Sequence, residues 1–250
     1  MRNKGYPTSS NAASSFHLHW VMQNETDEAK VPARFVGASV TLVIPESPAV
    51  SDLYFWALQV SFVGPEGARG GAHFGLQWHP GHPGRTAVNW GGYANDGSTL
   101  AGSDSALSSA MNNPHTRDYL WRPGSPYRLV VSQDRERGAG WWAGSVIDLE
   151  RQSPTMVRSL FSPGDRLTGL MVWTEAFCRC EAPPVAAIWS RPAALGDDGA
   201  SWRPEAVSLT YQSEIDGGCA NTDAYELPHG IAQVTGVTRT NQPGAVLLWR

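Results

Sequence analysis

Turns built on Pro and Gly punctuate this chain at short intervals almost from end to end. VGPEGARGG (63–71), HPGHPGR (79–85), RPGSP (122–126), DRERGAG (134–140), SPGD (162–165) and NQPG (241–244) are examples. Between them lie short runs rich in Val, Leu, Phe, Trp and Tyr, too short for stable helices and well suited to strands joined by hairpins. That rhythm argues for many antiparallel strands joined by hairpins.

Alternation supports strands. In YFWALQVSFV, Tyr54, Trp56, Leu58, Val60 and Phe62 fall on one face, while Phe55, Ala57, Gln59, Ser61 and Val63 fall on the other. In PYRLVVSQ, Tyr127, Leu129 and Val131 face one way. The one stretch with helical character is SDSALSSAMNN (103–113), which opens on the capping residues Ser103 and Asp104. A chain of 250 residues with this pattern is expected to form an all-β, two-sheet antiparallel β-sandwich (a jelly roll) with few or no helices. Residues 1–14, small and polar, are expected to form a flexible arm before a single sandwich domain over 15–250.

Composition narrows the function classes. The 26 Gly, 18 Pro and 11 Trp fit a β-rich chain, and the net charge of −4, with its basic residues scattered singly, argues against a nucleic-acid partner. No run is apolar enough for a membrane span and the start lacks an apolar signal core, so a cytoplasmic location is expected, or secretion if the chain is a trimmed mature form. Three cysteines, Cys178, Cys180 and Cys219, allow one bridge with a spare thiol, in which Cys178 or Cys180 joins Cys219.

The segments YFWALQVSFVGPEG, GAHFGLQ, WRPGSPYRLVVS, WWAGSVIDLE and LTGLMVWTEAF together resemble a family of uncharacterised bacterial domains, over about residues 35–180. The resemblance implies a concanavalin-A-like sandwich, of the kind found in lectins and glucanases and often beside sugar-active modules.

Candidate chemistry clusters on a few strands. Along AHFGLQWH, His73, Gly75, Gln77 and His79 share a face, and His82 follows in the turn; His17 and His19 share a face in FHLHW. Imidazoles two apart on a strand can contribute to a zinc site, which needs three or four ligands. NDG (95–97) and DDG (197–199) fit calcium loops as well as plain turns. No cofactor is expected, with calcium and zinc as minor alternatives and no metal ligands assigned.

VIDLE places Val146, Asp148 and Glu150 on one face and is similar to the laminarinase motif Glu-x-Asp-x-Glu, with valine where the nucleophilic glutamate stands. In LMVWTEAFC, Met171, Trp173, Glu175 and Phe177 share a face. A carboxyl between two aromatics is paired in the core, exposed at an edge, or set in a cleft whose apolar surroundings raise its pKa toward that of a general acid.

The leading expectation is a carbohydrate- or glycoside-binding cleft lined by aromatics. Its ligand-binding residues are Gln77, Trp78, Asn89, Trp90, Tyr93, Trp142 and Trp173, with Glu175, His79 and Asp148 as candidate catalytic groups. The alternative is a small-molecule enzyme, a cyclase or lyase, in which Glu175 or a histidine moves a proton in an apolar aromatic pocket. The partner is accordingly a carbohydrate or a small molecule; the sequence leaves the oligomeric state open.

Overall fold

A computed structural model describes residues 2–22 and 35–250. Among the described residues the chain forms antiparallel strands, with one short 3-10 turn at Pro83–Arg85 as its only helical piece. Numbered in chain order, the strands fall into two hydrogen-bonded runs. The first sheet is ordered β16 (Val246–Leu248), β13 (Pro204–Tyr211), β1 (Ser14–Met22), β10 (Arg166–Ala176), β3 (Tyr54–Gly64), β4 (Gly67–Trp78), β5 (Thr86–Tyr93) and β6 (Thr116–Asp118).

The second sheet is ordered β14 (Thr222–Leu227), β15 (Gly230–Thr235), β11 (Ala186–Gly196), β2 (Phe35–Val43), β7 (Pro126–Gln133), β8 (Trp141–Asp148) and β9 (Ser153–Phe161), with β12 (Ser201–Trp202) beside β11. One pairing, Leu167 with Phe35, joins the two sheets at a corner. The all-β sandwich expected from the turn rhythm is the fold observed.

Alternation decides what each sheet buries. Tyr54, Trp56, Leu58, Val60 and Phe62 of β3 are fully buried, and Leu129 and Val131 of β7 meet them from the opposite sheet in one core cluster. Burying such side chains contributes about 1.5–3 kcal/mol each by transfer. The two layers touch through indoles: Trp90 Nε1 donates to the Trp142 carbonyl at 3.1 Å, and Trp142 packs 5.3 Å from Phe62. Gly144 makes this packing feasible, because a β-carbon there would sit 2.8 Å from the Trp90 ring.

Two local expectations need correction. Residues 103–113 do not form a helix, because their polar side chains serve the backbone instead. Ser105 Oγ accepts from Leu107 N, Ser109 Oγ accepts from Asn113 N, and Ser103 N and Asp118 N are drawn into bonds to Ser159 and Ser108 carbonyls. Nor do the first residues form a loose arm. Thr8 N donates to the Gly217 carbonyl, Cys180 N to Gly5 and Ala220 N to Arg2, while Ser9 and Ala13 are buried.

That tether sits beside the Cys180–Cys219 disulfide, whose Cα atoms lie 5.5 Å apart. Cys178 is the spare thiol, buried and donated to by Tyr54 Oη at 3.0 Å. Among the described residues no helix is long and apolar enough to cross a membrane.

Candidate functional site

The outer face of the first sheet holds most of the chemistry that its alternating strands turn away from the core. Strand register arranges it in transverse rows. One row reads Ser15, Glu175, Phe55, Gln77, Ala87 and Asp118 across β1, β10, β3, β4, β5 and β6. The next reads His17, Trp173, Ala57, Gly75 and Asn89, and a third His19, Met171, Gln59, His73 and Gly91.

Phe55, Ala57 and Trp173 form a second, smaller apolar cluster, separate from the main core. The Trp173 ring lies 4.9 Å from Phe55, 5.9 Å from His73 and 6.2 Å from His17, and its Nε1 donates to Gln59 Oε1 at 2.8 Å. The small side chains at 57, 75 and 91 keep the centre of the face low. A β-carbon at Gly91 would press on the His115 ring at 3.0 Å.

Glu175 is the ionisable centre of this face. Ser15 Oγ donates to its Oε1 at 3.1 Å and Asn11 Nδ2 at 3.2 Å, so the tethered N-terminal residues help to hold it. Burial pushes its carboxyl up to about 6, against the opposing hydrogen bond from Ser15. His17 is drawn down to about 4 by burial and by His19, and His73 to about 4 by burial and by His115. Near neutrality both imidazoles are therefore uncharged, and Glu175 is the group poised to exchange a proton.

Two strands along the same row, Gln77 is buried and its Oε1 has no hydrogen-bond partner. On the neighbouring strand Asn89 donates through Nδ2 to Thr116 Oγ1 at 2.8 Å, yet its Oδ1 is also without a partner, as is His115 Nδ1. Buried polar atoms are nearly always satisfied. The Gln77 and Asn89 amide oxygens are therefore each open to a hydrogen-bond donor.

The sequence-predicted residues divide cleanly. Gln77, Asn89, Trp173 and Glu175 share the face, with Tyr93 at its rim, 56% exposed and 6.3 Å from His73. Trp90 and Trp142 are corrections: both are fully buried between the sheets, because alternation turns them inward. Trp78 also points to the core side, donating to the Val50 carbonyl at 2.9 Å, with Arg85 over its ring.

His79 lies just past the end of β4, its ring 4.7 Å from His82. Asp148 is on the second sheet, 3.1 Å from Arg122 and accepting from the Glu150 and Arg151 backbones, so VIDLE is a braced strand end rather than part of the Glu175 face. Asp96 and Asp198 accept from residues two further on in ordinary turns. Among the described residues no three His, Cys, Asp or Glu side chains converge on a metal position.

No known family profile matches the chain, and no curated protein matches it. Among solved structures it is similar to Scytalido-glutamic peptidase with a peptide-based transition-state analog, at 10% identity and TM-score 0.48, covering 88% of this chain and 97% of that one. It is also similar to SCP-B, a member of the eqolisin family of peptidases in complex with the tripeptide Ala-Ile-His, at 10% identity and TM-score 0.46, covering 89% and 98%. A native glycosidic hydrolase follows at 11% identity and TM-score 0.28, covering 68% and 80%. At these values the likenesses carry no argument about activity.

Sequence reasoning missed Asn11, Ser15, Phe55, Gln59 and His115 as members of the site. Alternation alone places Phe55 and Gln59 on the outward face. Nothing local reports that Ser15 lies opposite Glu175, because that pairing spans most of the chain.

Proposed function

We propose that the outer face of the first sheet is a hydrolytic site for acyl bonds, in which Glu175 is the acid–base and Gln77 the carbonyl-binding amide. The observation that carries this is one strand row that sets a carboxyl raised to about 6 two strands from a buried side-chain amide, Gln77. Adjacent strands are about 4.8 Å apart, so β3 separates the Glu175 and Gln77 backbones by roughly 10 Å. That span would take a water and a substrate carbonyl between the two side chains.

In the step, ionised Glu175 takes a proton from water as the water oxygen bonds to the carbonyl carbon. The Gln77 amide N–H donates to the oxygen on which charge develops. Glu175 then returns the proton to the departing nitrogen or oxygen as that bond breaks.

A two-carboxylate glycosidase fits less well. The next carboxyl along the row is Asp118, four strand spacings or roughly 19 Å from Glu175, whereas glycoside hydrolysis uses separations of about 5–9.5 Å. With Trp90 and Trp142 in the core, the broad stacking surface expected for a long glycan is also reduced.

Hydrolysis of a mixed fluorogenic peptide and ester library is the test. Turnover should rise with pH through about 6 and fall by roughly 10²–10⁴ in Glu175→Gln. Turnover that persists in that variant would sink the reading.

Tyr93 favours a second reading, carbohydrate binding without turnover, because its exposed ring stands beside His73 at the rim of the face. Calorimetry with neutral oligosaccharides at millimolar concentration tests it. Saturable binding that disappears in Tyr93→Ala and survives in Glu175→Gln would support this reading over the first.

A further inference from the structure

We propose that the outer face of the second sheet carries a separate binding site for an organic oxyanion. There the row Arg128, Thr41 and Ser190 crosses β7, β2 and β11, and a cavity of about 700 Å³ opens beside it. Arg191 and Arg203 line the cavity, and Pro192, Pro204 and Trp249 give it apolar walls.

Arg128 donates to neutral oxygens only: Ser39 Oγ at 2.7 Å, the Arg191 carbonyl at 3.2 Å and Thr41 Oγ1 at 3.4 Å. Among the described residues no carboxylate forms an ion pair with Arg128, Arg191 or Arg203. Burial draws the Arg128 pKa down, and the charges of Arg191 and Arg203 draw it down further, so the three lie within mutual electrostatic reach. Arg250, which also lines the cavity, is paired with Glu226 at 3.0 Å and adds no free charge. In a chain of net charge −4, such a concentration of positive charge is local.

The backbone is bent to serve this arrangement. β11 bulges between Ser190 and Ala193, where its register against β2 shifts, and Arg191 sits at φ 49°. Left-handed backbone disfavours a residue with a β-carbon, and bulges re-aim side chains. Glycine would relax the position, yet the residue there is an arginine that lines the cavity.

These features specify a ligand in two parts. A carboxylate, phosphate or sulfate group would meet Arg191 and Arg203 and the Thr41 and Ser190 hydroxyls of the cavity wall, with Arg128 adding its charge from beside it. An apolar body would rest on the prolines and the indole.

The test is calorimetric titration of the full chain with benzoate, phenyl phosphate and phenyl sulfate at matched ionic strength. At least one should bind saturably and more weakly at higher salt, and the order of affinities identifies the anionic group that the site takes. Arg191→Gly removes a guanidinium and relaxes the backbone, so affinity should fall roughly tenfold or more while Tm holds or rises. Arg203→Gln, at an exposed position, should weaken binding in the same direction. If no probe saturates below about 10 mM, or if both variants bind the best probe as tightly as the parent, the proposal is wrong.

Discussion

Replacing Glu175 with glutamine should stabilise the protein above neutral pH and leave it unchanged in acid. The carboxyl is held up at about 6 against an ordinary value of 4.5, chiefly by burial. A group whose folded pKa is raised contributes its stability below the unfolded value and loses it as pH rises through the folded one. Raising a carboxyl from 4.5 to about 6 corresponds to roughly 2 kcal/mol, the penalty for an ionised Glu175 in the folded chain at pH 8.

Glutamine resembles the neutral acid at every pH and keeps an acceptor for Ser15 and Asn11. For a chain of this length roughly 2 kcal/mol is about 4–8 °C in Tm. Urea denaturation and calorimetry of both proteins at pH 4 and pH 8 would measure it. A variant that is no more stable at pH 8, or equally stabilised at pH 4, would show that the carboxylate is not desolvated and would refute the argument. If the gain is accompanied by loss of turnover, the site holds its carboxyl at a cost in stability, as functional sites commonly do.

His17 and His73, both drawn down to about 4, have the opposite linkage. Their contribution is present above pH 6.5 and is lost as pH falls toward 4, by roughly 3 kcal/mol each, so acid denaturation should begin early and His73→Gln should flatten that limb. Serine at Cys180 and Cys219 together opens a bridge between positions 39 apart in sequence and should cost ~4 kcal/mol, measured by denaturation under oxidising conditions. Trp90→Ala should cost ~3–5 kcal/mol because the indole fills the space between the sheets, whereas Tyr93→Ala at the exposed rim should stay within about 0.5 kcal/mol.

Much of the fold was legible because period-two alternation is local. The faces of β3, β4 and β10 follow from YFWALQVSFV, AHFGLQWH and LMVWTEAFC alone, and they place Gln77, Trp173 and Glu175 correctly on the outward side. Trp90 and Trp142 show where that reading stopped: each was placed in a cleft because it neighbours polar residues in sequence, although on a strand those neighbours face the other way. In TAVNWGGY, Asn89 pointing outward obliges Trp90 to point inward. Strictly applied alternation would have separated them.

What no local pattern contains is which strands lie side by side. The Glu175 row exists because β10 is flanked by β1 on one side and β3 on the other, so Ser15 and Phe55 meet the carboxyl from opposite ends of its row. Burial raises the Glu175 pKa, and the hydrogen bond from Ser15 opposes it. The same logic governs the second sheet, where Arg128 reaches Ser39 and Thr41 across β2 and meets the charges of Arg191 and Arg203 from the far side. Along the sequence these arginines look like isolated surface charges. Pairing assembles them, while Asp148 and Glu150 are engaged by Arg122. Arg122→Ala would free both acids at the strand end and should leave the Arg128 cluster unpaired, since the acids accept from Ser125 and from the backbone of their own turn.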